Sequence, residues 1–270
     1  MAMERVNSHG LVLLGCGKMG SALLAGWLRR GVDQRSVWVL EPNPSDWLTA
    51  QGVHLNQGVP ARPAVCILAV KPQMMGAALP SIVALGNGAT LFLSIAAGTT
   101  IATFAATLGA ETPIVRAMPN TPAAAGRGIT ALVANDHAGK DGLALAQDLM
   151  AAVGQVVLLD HEGQMDAVTA LSGSGPAYVF HLIEAMAAAG EAEGLAPDMA
   201  MQLARATVCG AGELAYQATE SAAQLRINVT SPGGTTAAAL AVLMHPQTGL
   251  SALLKRAVAA AAARGRELGT

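Results

Sequence analysis

The chain has 270 residues, which exceeds one average domain, so two domains are the default expectation. Its net charge of −2 at pH 7 provides no positive field for nucleic acid or for an anionic membrane surface, and both classes of partner are excluded. Hydrophobic residues make up 52% of the chain and aromatic residues only 3%, so the core must be built from small aliphatic side chains.

The first ten residues lack the apolar core of a signal peptide, and we therefore expect a cytoplasmic protein. The uncharged stretch between Lys71 and Glu111 is interrupted repeatedly by Pro and Gly, so short buried strands and helices explain it better than a membrane span. The three cysteines, Cys16, Cys66 and Cys209, form no C-x-x-C pair, and the six histidines are scattered singly. The sequence predicts no metal site.

The apolar run 11–14 predicts a strand that is buried on both faces of a parallel sheet. It leads into the glycine loop Gly15-Cys-Gly-Lys-Met-Gly20, then into a helical pattern and a second strand at 37–41. In this context the loop predicts dinucleotide binding. Gly15 permits the tight turn, Gly17 lets the pyrophosphate approach the backbone, and Gly20 lets the helix pack on the strand.

Glu41 ends the second predicted strand, where an acid accepts hydrogen bonds from the adenosine ribose. Its charge would repel the 2′-phosphate of NADPH by roughly 2 to 7 kcal/mol at about 5 Å. The backbone at Pro42 and Asn43, or a side chain such as Arg35, could still receive a phosphate. The residues alone leave both NADPH and NADH open.

Three further apolar runs predict strands, at 65–70, 91–95 and 114–116. Lys71 follows the first of them at the ligand-binding edge of the sheet, where it either faces the cofactor or is a solvated loop lysine. Thr99, beyond the second strand, is the expected cap of the next helix. Asn120, beyond the third, either offers its amide to nicotinamide or substrate, or belongs to a proline turn with no chemical role.

After Asp160 strand-like runs disappear, and helical periodicity continues to the end of the chain. We predict a dinucleotide-binding domain at 1–160 and an all-helical domain at 161–270. The helical half is rich in Ala and poor in aromatic residues, which suits a domain that buries surface against another copy of the chain.

One turn in the helical half carries its own chemical signal: Asn228-Val-Thr-Ser-Pro-Gly-Gly-Thr-Thr236, which runs into an apolar helix. Pro232 fixes one φ angle, Gly233 and Gly234 permit positive φ, and two threonines lie where the helix begins. Backbone donors and hydroxyls at the positive end of a helix dipole form a receptor for a carboxylate or phosphate. Pro-Gly-Gly alone also suits an ordinary inter-helix turn with Thr capping.

Taken together, five motifs resemble the pyrroline-5-carboxylate reductase family, the enzymes of the last step of proline synthesis. They span nearly the whole chain: the glycine loop 15–20, Ala69-Val-Lys-Pro-Gln73, Arg116-Ala-Met-Pro-Asn-Thr-Pro122, Ser172-Gly-Ser-Gly-Pro-Ala-Tyr178 and Val229-Thr-Ser-Pro-Gly-Gly-Thr-Thr236. The glycine loop is shared with many dehydrogenases, whereas the last two motifs at this spacing are specific.

The resemblance implies an α/β fold in which a Rossmann-type doubly wound sheet precedes an all-α dimerisation domain. It implies hydride transfer from NADPH or NADH to the cyclic imine 1-pyrroline-5-carboxylate, with L-proline as product. It also implies a homodimer with interlocked helical domains, active sites shared between its subunits, and assembly of dimers into rings such as a decamer.

The resemblance further implies roles for individual residues. Thr236 would lie near the imine nitrogen as the catalytic residue. The substrate carboxylate would be held by Val229, Thr230, Ser231, Gly233, Gly234, Thr235 and Thr236. The dinucleotide would be bound by Gly15, Gly17, Lys18, Met19, Gly20, Glu41, Asn43, Ala69, Val70, Lys71, Pro72, Ala96, Ala97, Asn120 and Asn228.

Two alternatives remain at this stage. Another β-hydroxyacid-type dehydrogenase would carry a catalytic lysine on a helix of its second domain, yet the chain has no Lys between Lys140 and Lys255. A non-catalytic nucleotide sensor would keep the fold and lose turnover, which the intact turn at 231–236 argues against.

Overall fold

The computed structural model describes residues 2–268, so the outermost residues of the two predicted domains, 1 and 269–270, lie outside the described residues. Its strands form one eight-stranded sheet in the order β3-β2-β1-β4-β5-β6-β7-β8. They are β1 (Leu11–Leu14), β2 (Val37–Leu40), β3 (His54–Leu55), β4 (Val65–Leu68), β5 (Leu91–Ser94), β6 (Ile114–Met118), β7 (Gly128–Ala134) and β8 (Gly154–Leu158).

Helices cover the sheet and form the last third of the chain. Those of the first part are α1 (Ala2–His9), α2 (Lys18–Arg29), α3 (Asp46–Thr49), α4 (Pro72–Ala78), α5 (Ile101–Leu108), α6 (Gly139–Met150) and α7 (Met165–Val168). Those that follow are α8 (Gly175–Ala192), α9 (Pro197–Gln217), α10 (Ala222–Asn228), α11 (Thr235–Leu243) and α12 (Leu250–Leu268). A π-helical turn, Thr169–Gly173, precedes α8, and 3₁₀ turns occur at Gln34–Ser36, Leu79–Ser81, Val83–Leu85, Thr121–Ala125, Asp136–Ala138 and Glu162–Gln164.

The strand order defines where a ligand can bind. Strands β1 to β6 are mutually parallel, and the order reverses between β1 and β4. A crevice at the carboxyl ends of the strands on either side of such a reversal is the usual ligand site of doubly wound sheets. The predicted α/β fold class with its doubly wound sheet is confirmed. Strand β7 runs antiparallel to β6, which the sequence pattern did not indicate.

The strands are buried because they carry apolar side chains toward both faces of the sheet. In β1, Leu11 and Leu13 pack in one core with Trp27, whereas Val12 and Leu14 pack in a second core with Phe104. Parallel strands that are covered on both faces consist of continuous apolar residues. These runs allowed the strands to be predicted from the sequence. The sheet therefore has a well-packed core of its own.

The chain divides into two compact units. The first comprises the residues up to Gly173 together with the segment from Ala261 onward, and the second comprises Ser174–Ala260. The functional boundary that the sequence suggests after Asp160, just beyond β8, stays a prediction. Among the described residues, no helix combines the length and apolar character that crossing a membrane requires.

Two local features differ from expectation. Helix α1 was not predicted from the sequence. Helix α5 is capped by Thr100, whose hydroxyl accepts a hydrogen bond from the Thr103 N–H at 3.1 Å, so Thr99 is the wrong residue for the predicted cap. A cap one residue later shifts the start of the helix by the same amount.

A buried ion pair joins the end of the sheet to α5. The Arg116 side chain, on β6, is only 6% exposed and donates to Glu162 Oε1 at 2.5 Å. The same carboxylate oxygen accepts from the N–H of Ile101 at 2.8 Å, at the positive end of α5. Glu162 thus neutralises a buried cation and satisfies a helix N-terminus at once.

We expect Glu162→Ala to lower the free energy of unfolding by about 3 kcal/mol, because it leaves a buried guanidinium without its partner. Urea denaturation measures the change. The matched control is Glu111→Ala, since Glu111 is exposed and its removal should change stability by less than about 0.5 kcal/mol. Equal stabilities of the two variants would contradict the role given to Glu162.

Candidate functional site

The glycine loop follows β1 and has two kinds of glycine. Gly15 has a φ of +87°, and a Cβ added there would lie 2.7 Å from Val70 Cγ1. A Cβ on Gly20 would lie 2.9 Å from the Gly15 carbonyl oxygen. A Cβ on Gly17 would meet no atom within 4 Å. Gly15 and Gly20 are therefore required by the internal packing of the loop, while Gly17 leaves open a space that a ligand can use.

Helix α2 begins inside this loop with unpaired donors. Gly17 is its N-cap residue and has no side chain to cap it, and the first helical bond runs from the Ser21 N–H to the Gly17 carbonyl at 2.8 Å. The N–H groups of Lys18, Met19 and Gly20 consequently have no partner within the helix. Donors at the positive end of a helix dipole, beside a glycine with free space, fit a pyrophosphate.

The side chain of Glu41, one residue beyond β2, turns toward the glycine loop. Its Oε2 accepts from the Cys16 N–H at 2.8 Å and its Oε1 from the Asn43 N–H at 3.0 Å. The backbone of Glu41 is held in turn by Asn56, whose side chain accepts from the Glu41 N–H at 3.0 Å and donates to its carbonyl at 2.9 Å. The carboxylate is therefore fixed between the loop and the end of β2.

A cleft of about 340 Å³ lies beside this carboxylate. Its apolar lining comes from β1, β2, α4 and the segment after β4, and includes Leu14, Leu40, Val70, Met74 and Ala78. Glu41, Asn56 and Ser81 supply its polar edge. A flat apolar slot with a carboxylate at one side suits an adenosine group.

The position of Arg35 does not allow it to bind a 2′-phosphate in this cleft, which the sequence had left open. It lies in the turn before β2, at the opposite end of the strand from Glu41. Its guanidinium is paired with Asp33 at 2.6 Å, and this contact lowers the pKa of the Asp33 carboxyl to about 2. The strand predicted at 37–41 already separates Arg35 from Glu41, whereas the pairing of Arg35 with Asp33 is seen only in the structure.

The remaining predicted cofactor residues follow β4, β5 and β6, at the same edge of the sheet. The Ala69 N–H donates to the Leu14 carbonyl at 2.8 Å, which keeps the exits of β1 and β4 side by side. Val70 lines the cleft, Lys71 is the exposed N-cap of α4, and Pro72 is the first residue of that helix. Ala96 and Ala97 follow β5, with the Ala96 N–H bonded to Ser94 Oγ at 3.2 Å.

Asn120 uses its amide within the protein. Its Oδ1 accepts from the Ile129 N–H at 2.9 Å, and its Nδ2 donates to the Ser172 carbonyl at 3.1 Å. The amide thus ties the proline loop after β6 to the π-helical turn that precedes α8. A contact between Asn120 and the cofactor stays a prediction. Independently of it, the side chain stabilises the structure through these two hydrogen bonds.

In the second unit, the turn before α11 presents donors as expected, with one change. The Gly234 N–H is bonded to the Ser231 carbonyl at 3.1 Å, so it is not a free donor as the sequence suggested. Gly233 has a φ of +70°, and Pro and Gly in the middle of such a turn indicate type II. The first helical bond runs from Ala238 to Gly234, which leaves the N–H groups of residues 235–237 unpaired within the helix.

Other predicted residues of this unit surround the turn. Val229 is 68% exposed, and the Thr230 hydroxyl donates to the Arg226 carbonyl at 2.6 Å. Asn228 ends α10, and its side chain is bonded to Gln224 at 2.8 Å and to Glu220 at 3.1 Å. Thr235 and Thr236 are the first two residues of α11. Asn228 belongs to the second unit, whereas the other predicted cofactor residues belong to the first.

Sequence reasoning missed two contributors. Asn56, with a φ of +54°, supplies the hydrogen bonds that position Glu41, and Glu162 anchors the start of α5. Asn is common in turns, and no sequence pattern indicates that Asn56 forms hydrogen bonds with Glu41, fifteen positions earlier. Burial raises the pKa of the Cys16 thiol, so this thiol stays protonated at neutral pH and is a poor nucleophile.

Comparison with known proteins adds an independent observation. Residues 162–268 match the family model described as pyrroline-5-carboxylate reductase dimerisation, and residues 11–98 match the one described as NADP oxidoreductase, coenzyme F420-dependent. A pyrroline-5-carboxylate reductase of Pseudomonas aeruginosa is 38% identical over 97% of this chain and 98% of its own length. One from Synechocystis is 45% identical over 76% of this chain and 75% of its own length.

Solved structures show the same similarity. A pyrroline-5-carboxylate reductase from Coxiella burnetii superposes with a TM-score of 0.91 at 36% identity, covering 98% of this chain and 100% of the other. A pyrroline carboxylate reductase of Plasmodium falciparum with NADP bound gives a TM-score of 0.84 at 28% identity, covering 98% and 99%.

The two loop glycines should respond differently to a methyl group. We expect Gly17→Ala to leave the thermal midpoint nearly unchanged and to raise the Kd for a nicotinamide dinucleotide by about tenfold or more, because the methyl occupies the space at the pyrophosphate. Gly15→Ala should also cost about 1 to 3 kcal/mol of stability, because it forces a left-handed backbone and a clash.

Titration of nucleotide fluorescence and thermal melts separate the two effects. Gly76→Ala is the matched control, since a Cβ there meets no atom within 4 Å and Gly76 does not line the cleft. Normal nucleotide affinity in Gly17→Ala would contradict the placement of the pyrophosphate at this loop.

Proposed function

The chain belongs to the pyrroline-5-carboxylate reductase family, and from this premise we propose which of its residues bind the cofactor and which bind the substrate. The protein is an oxidoreductase that reduces the cyclic imine 1-pyrroline-5-carboxylate with NADPH or NADH and yields L-proline, a step of proline biosynthesis. The proposal concerns which atoms of this chain hold each reactant. The observation that carries it is that two helices, α2 and α11, begin with unpaired N–H groups behind glycine.

The dinucleotide is assigned to the first unit, at the carboxyl edge of the sheet. The N–H groups at the start of α2 bind the pyrophosphate, the cleft beside Glu41 takes the adenosine, and the exits of β4, β5 and β6 line the nicotinamide. The residues concerned are Gly15, Gly17, Lys18, Met19, Gly20, Glu41, Asn43, Ala69, Val70, Lys71, Pro72, Ala96, Ala97 and Asn120, with Asn228 from the second unit. When bound, the nicotinamide supplies the hydride.

The substrate carboxylate is assigned to the turn before α11. The free N–H groups of Thr235, Thr236 and Ala237 face outward from the helix start, and the Thr235 and Ser231 hydroxyls can add further donors. Val229, Thr230, Gly233 and Gly234 shape this turn. A carboxylate at this position is stabilised by the helix dipole without any side-chain cation.

Once both reactants are bound, hydride transfer requires little further chemistry from the side chains. A protonated imine is already a strong electrophile, so placing its carbon about 3 to 3.5 Å from the hydride donor accounts for much of the rate. The Thr236 hydroxyl orients the imine nitrogen. The five motifs contain no His, and their one Tyr, Tyr178, is given no role in the proposal, so the proton is assigned to solvent or to the substrate itself.

The second unit supports the proposal of an interlocked homodimer. Its buried hydrophobic side chains among the described residues are Ala187, Ala200 and Ala204, whereas large side chains such as Phe180, Leu203 and Leu253 are exposed. A helical unit with so small a core needs a partner to bury its surface. We propose that this partner is a second copy and that each active site is shared between two subunits.

Two further assignments extend this proposal. Dimers assemble into a larger ring such as a decamer, as the family resemblance implies. The protein works in the cytoplasm, where the three free cysteines, Cys16, Cys66 and Cys209, stay reduced. A nucleotide sensor without turnover is the competing function, and it would bind dinucleotide while reducing no imine.

Thr236→Ala should lower kcat/KM for pyrroline-5-carboxylate by about tenfold to a hundredfold, because the hydroxyl no longer orients the nitrogen. Alanine is a better helix former, so the loss would not come from unfolding. Thr236→Ser should retain most activity. The control is Thr219→Ala, an exposed position in the same unit. The assay follows the loss of nicotinamide absorbance, and an unchanged kcat/KM would remove Thr236 from this role.

Complementation tests whether the site is shared. Gly17→Asp keeps a good helix cap but sets a charge against the pyrophosphate, while Thr236→Ala damages the substrate half. A heterodimer of the two variants, purified through two different affinity tags, should regain about half of the wild-type activity, because one of its two shared sites is intact. Activity no higher than that of the parent variants would show that each site lies within one chain.

A further inference from the structure

We propose that Glu41 makes this enzyme select NADH over NADPH, so that a residue of the ribose subsite decides which nicotinamide cofactor supplies the reaction. The inference rests on the dinucleotide site proposed above. It starts from the cleft of about 340 Å³ beside β2, in which the carboxylate of Glu41 is the charged group among the described lining residues.

The Glu41 carboxylate has a fixed orientation in the structure. Glu41 does not turn outward to solvent, because Oε2 is bonded to the Cys16 N–H at 2.8 Å and Oε1 to the Asn43 N–H at 3.0 Å. Asn56 holds its backbone through both the N–H and the carbonyl, at 3.0 and 2.9 Å. Four hydrogen bonds therefore keep the negative charge at the mouth of the cleft.

Glu41 also occupies the hydrogen-bond donors that a 2′-phosphate would need. The N–H groups of Cys16 and Asn43 are the backbone donors beside the expected ribose position, and the carboxylate already occupies both. A phosphate would have to displace Glu41 from these donors and then remain close to its charge. Ribose hydroxyls, in contrast, donate to the carboxylate and can share it with the loop.

The described lining of the cleft also lacks a cation that would neutralise a 2′-phosphate. Of the described residues that line the cleft, none is Lys or Arg. Arg35 stands before β2, separated from Glu41 by about 13 Å of strand, and is paired with Asp33. Lys18 and Lys71 lie at the starts of α2 and α4 and do not line the cleft. A doubly charged phosphate would find repulsion there and no neutralising side chain.

The test measures Kd for NADH and NADPH by nucleotide fluorescence, and kcat/KM with both, for the wild-type protein and three variants. The wild type should favour NADH by about tenfold or more at low salt. Glu41→Ser should reduce this preference by about tenfold or more, chiefly because NADPH binds better once the charge is gone and two N–H donors are free. Glu41→Asp should keep a preference for NADH.

Glu111→Gln is the control for the loss of one negative charge, since Glu111 is exposed and precedes β6 at the opposite edge of the sheet. Its cofactor preference should equal that of the wild type. Should Glu41→Ser fail to fold, Glu41→Gln removes the charge at nearly constant volume and takes its place. Raising the salt concentration should weaken the wild-type preference, because ions screen the repulsion.

Two results would overturn the inference: a wild-type protein that binds NADPH as well as or better than NADH, or a Glu41→Ser variant with an unchanged ratio. Weak binding of both nucleotides by the folded wild type would contradict the dinucleotide site itself. Tight binding of both without discrimination would leave that site intact and contradict only the role of Glu41.

Discussion

Both halves of the proposed site depend on backbone N–H groups that a helix leaves unpaired at its start. Helices α2 and α11 each have glycine as N-cap residue, Gly17 and Gly234, and neither has a side-chain cap. Elsewhere α3, α5 and α10 are capped by Ser45, Thr100 and Ser221, whereas α4, α6, α8 and α9 also lack a side-chain cap but do not have glycine at the N-cap. A side-chain oxygen in the site helices would compete with the ligand for the same donors. Leaving the donors free costs stability in the empty protein, and an anionic ligand supplies the missing partner.

The free N–H groups of α2 can bind a ligand only if the sheet holds them in a fixed position relative to the rest of the cleft. At the β2 exit this task falls to a side chain, because β3 has only two residues and ends before Glu41. Asn56 follows β3 and bonds to both the N–H and the carbonyl of Glu41, as a strand neighbour would. Its left-handed backbone, which Asn tolerates better than most residues, brings the amide to that position. The carboxylate then spans the glycine loop and the exit of β2.

The sequence predicted the parallel strands and the long helices well, because burial on both faces gives β1, β4 and β5 unmistakable apolar runs. It did not predict β3, which is too short for any pattern, nor the reversed direction of β7, which depends on tertiary pairing. At the site, the glycines and the Thr-Thr helix start could be predicted because a glycine-rich turn that opens a helix is a local sequence pattern. The partners of Glu41 and the internal bonds of Asn120 were not, since these contacts join residues far apart in sequence.

The two units differ in what stabilises them, and this difference bears on the reaction. The sheet has apolar cores on both faces, whereas α10 and α11, which flank the turn proposed to bind the substrate, have no fully buried residue among those described. We infer that association contributes to the geometry of the turn, because a helix without a fully buried residue gains little from packing within its own chain. In the proposed arrangement most residues assigned to the dinucleotide lie in the first unit, while those assigned to the imine lie in the second. If each site is shared between two subunits, as proposed, the stability of this turn links catalysis to the oligomeric state.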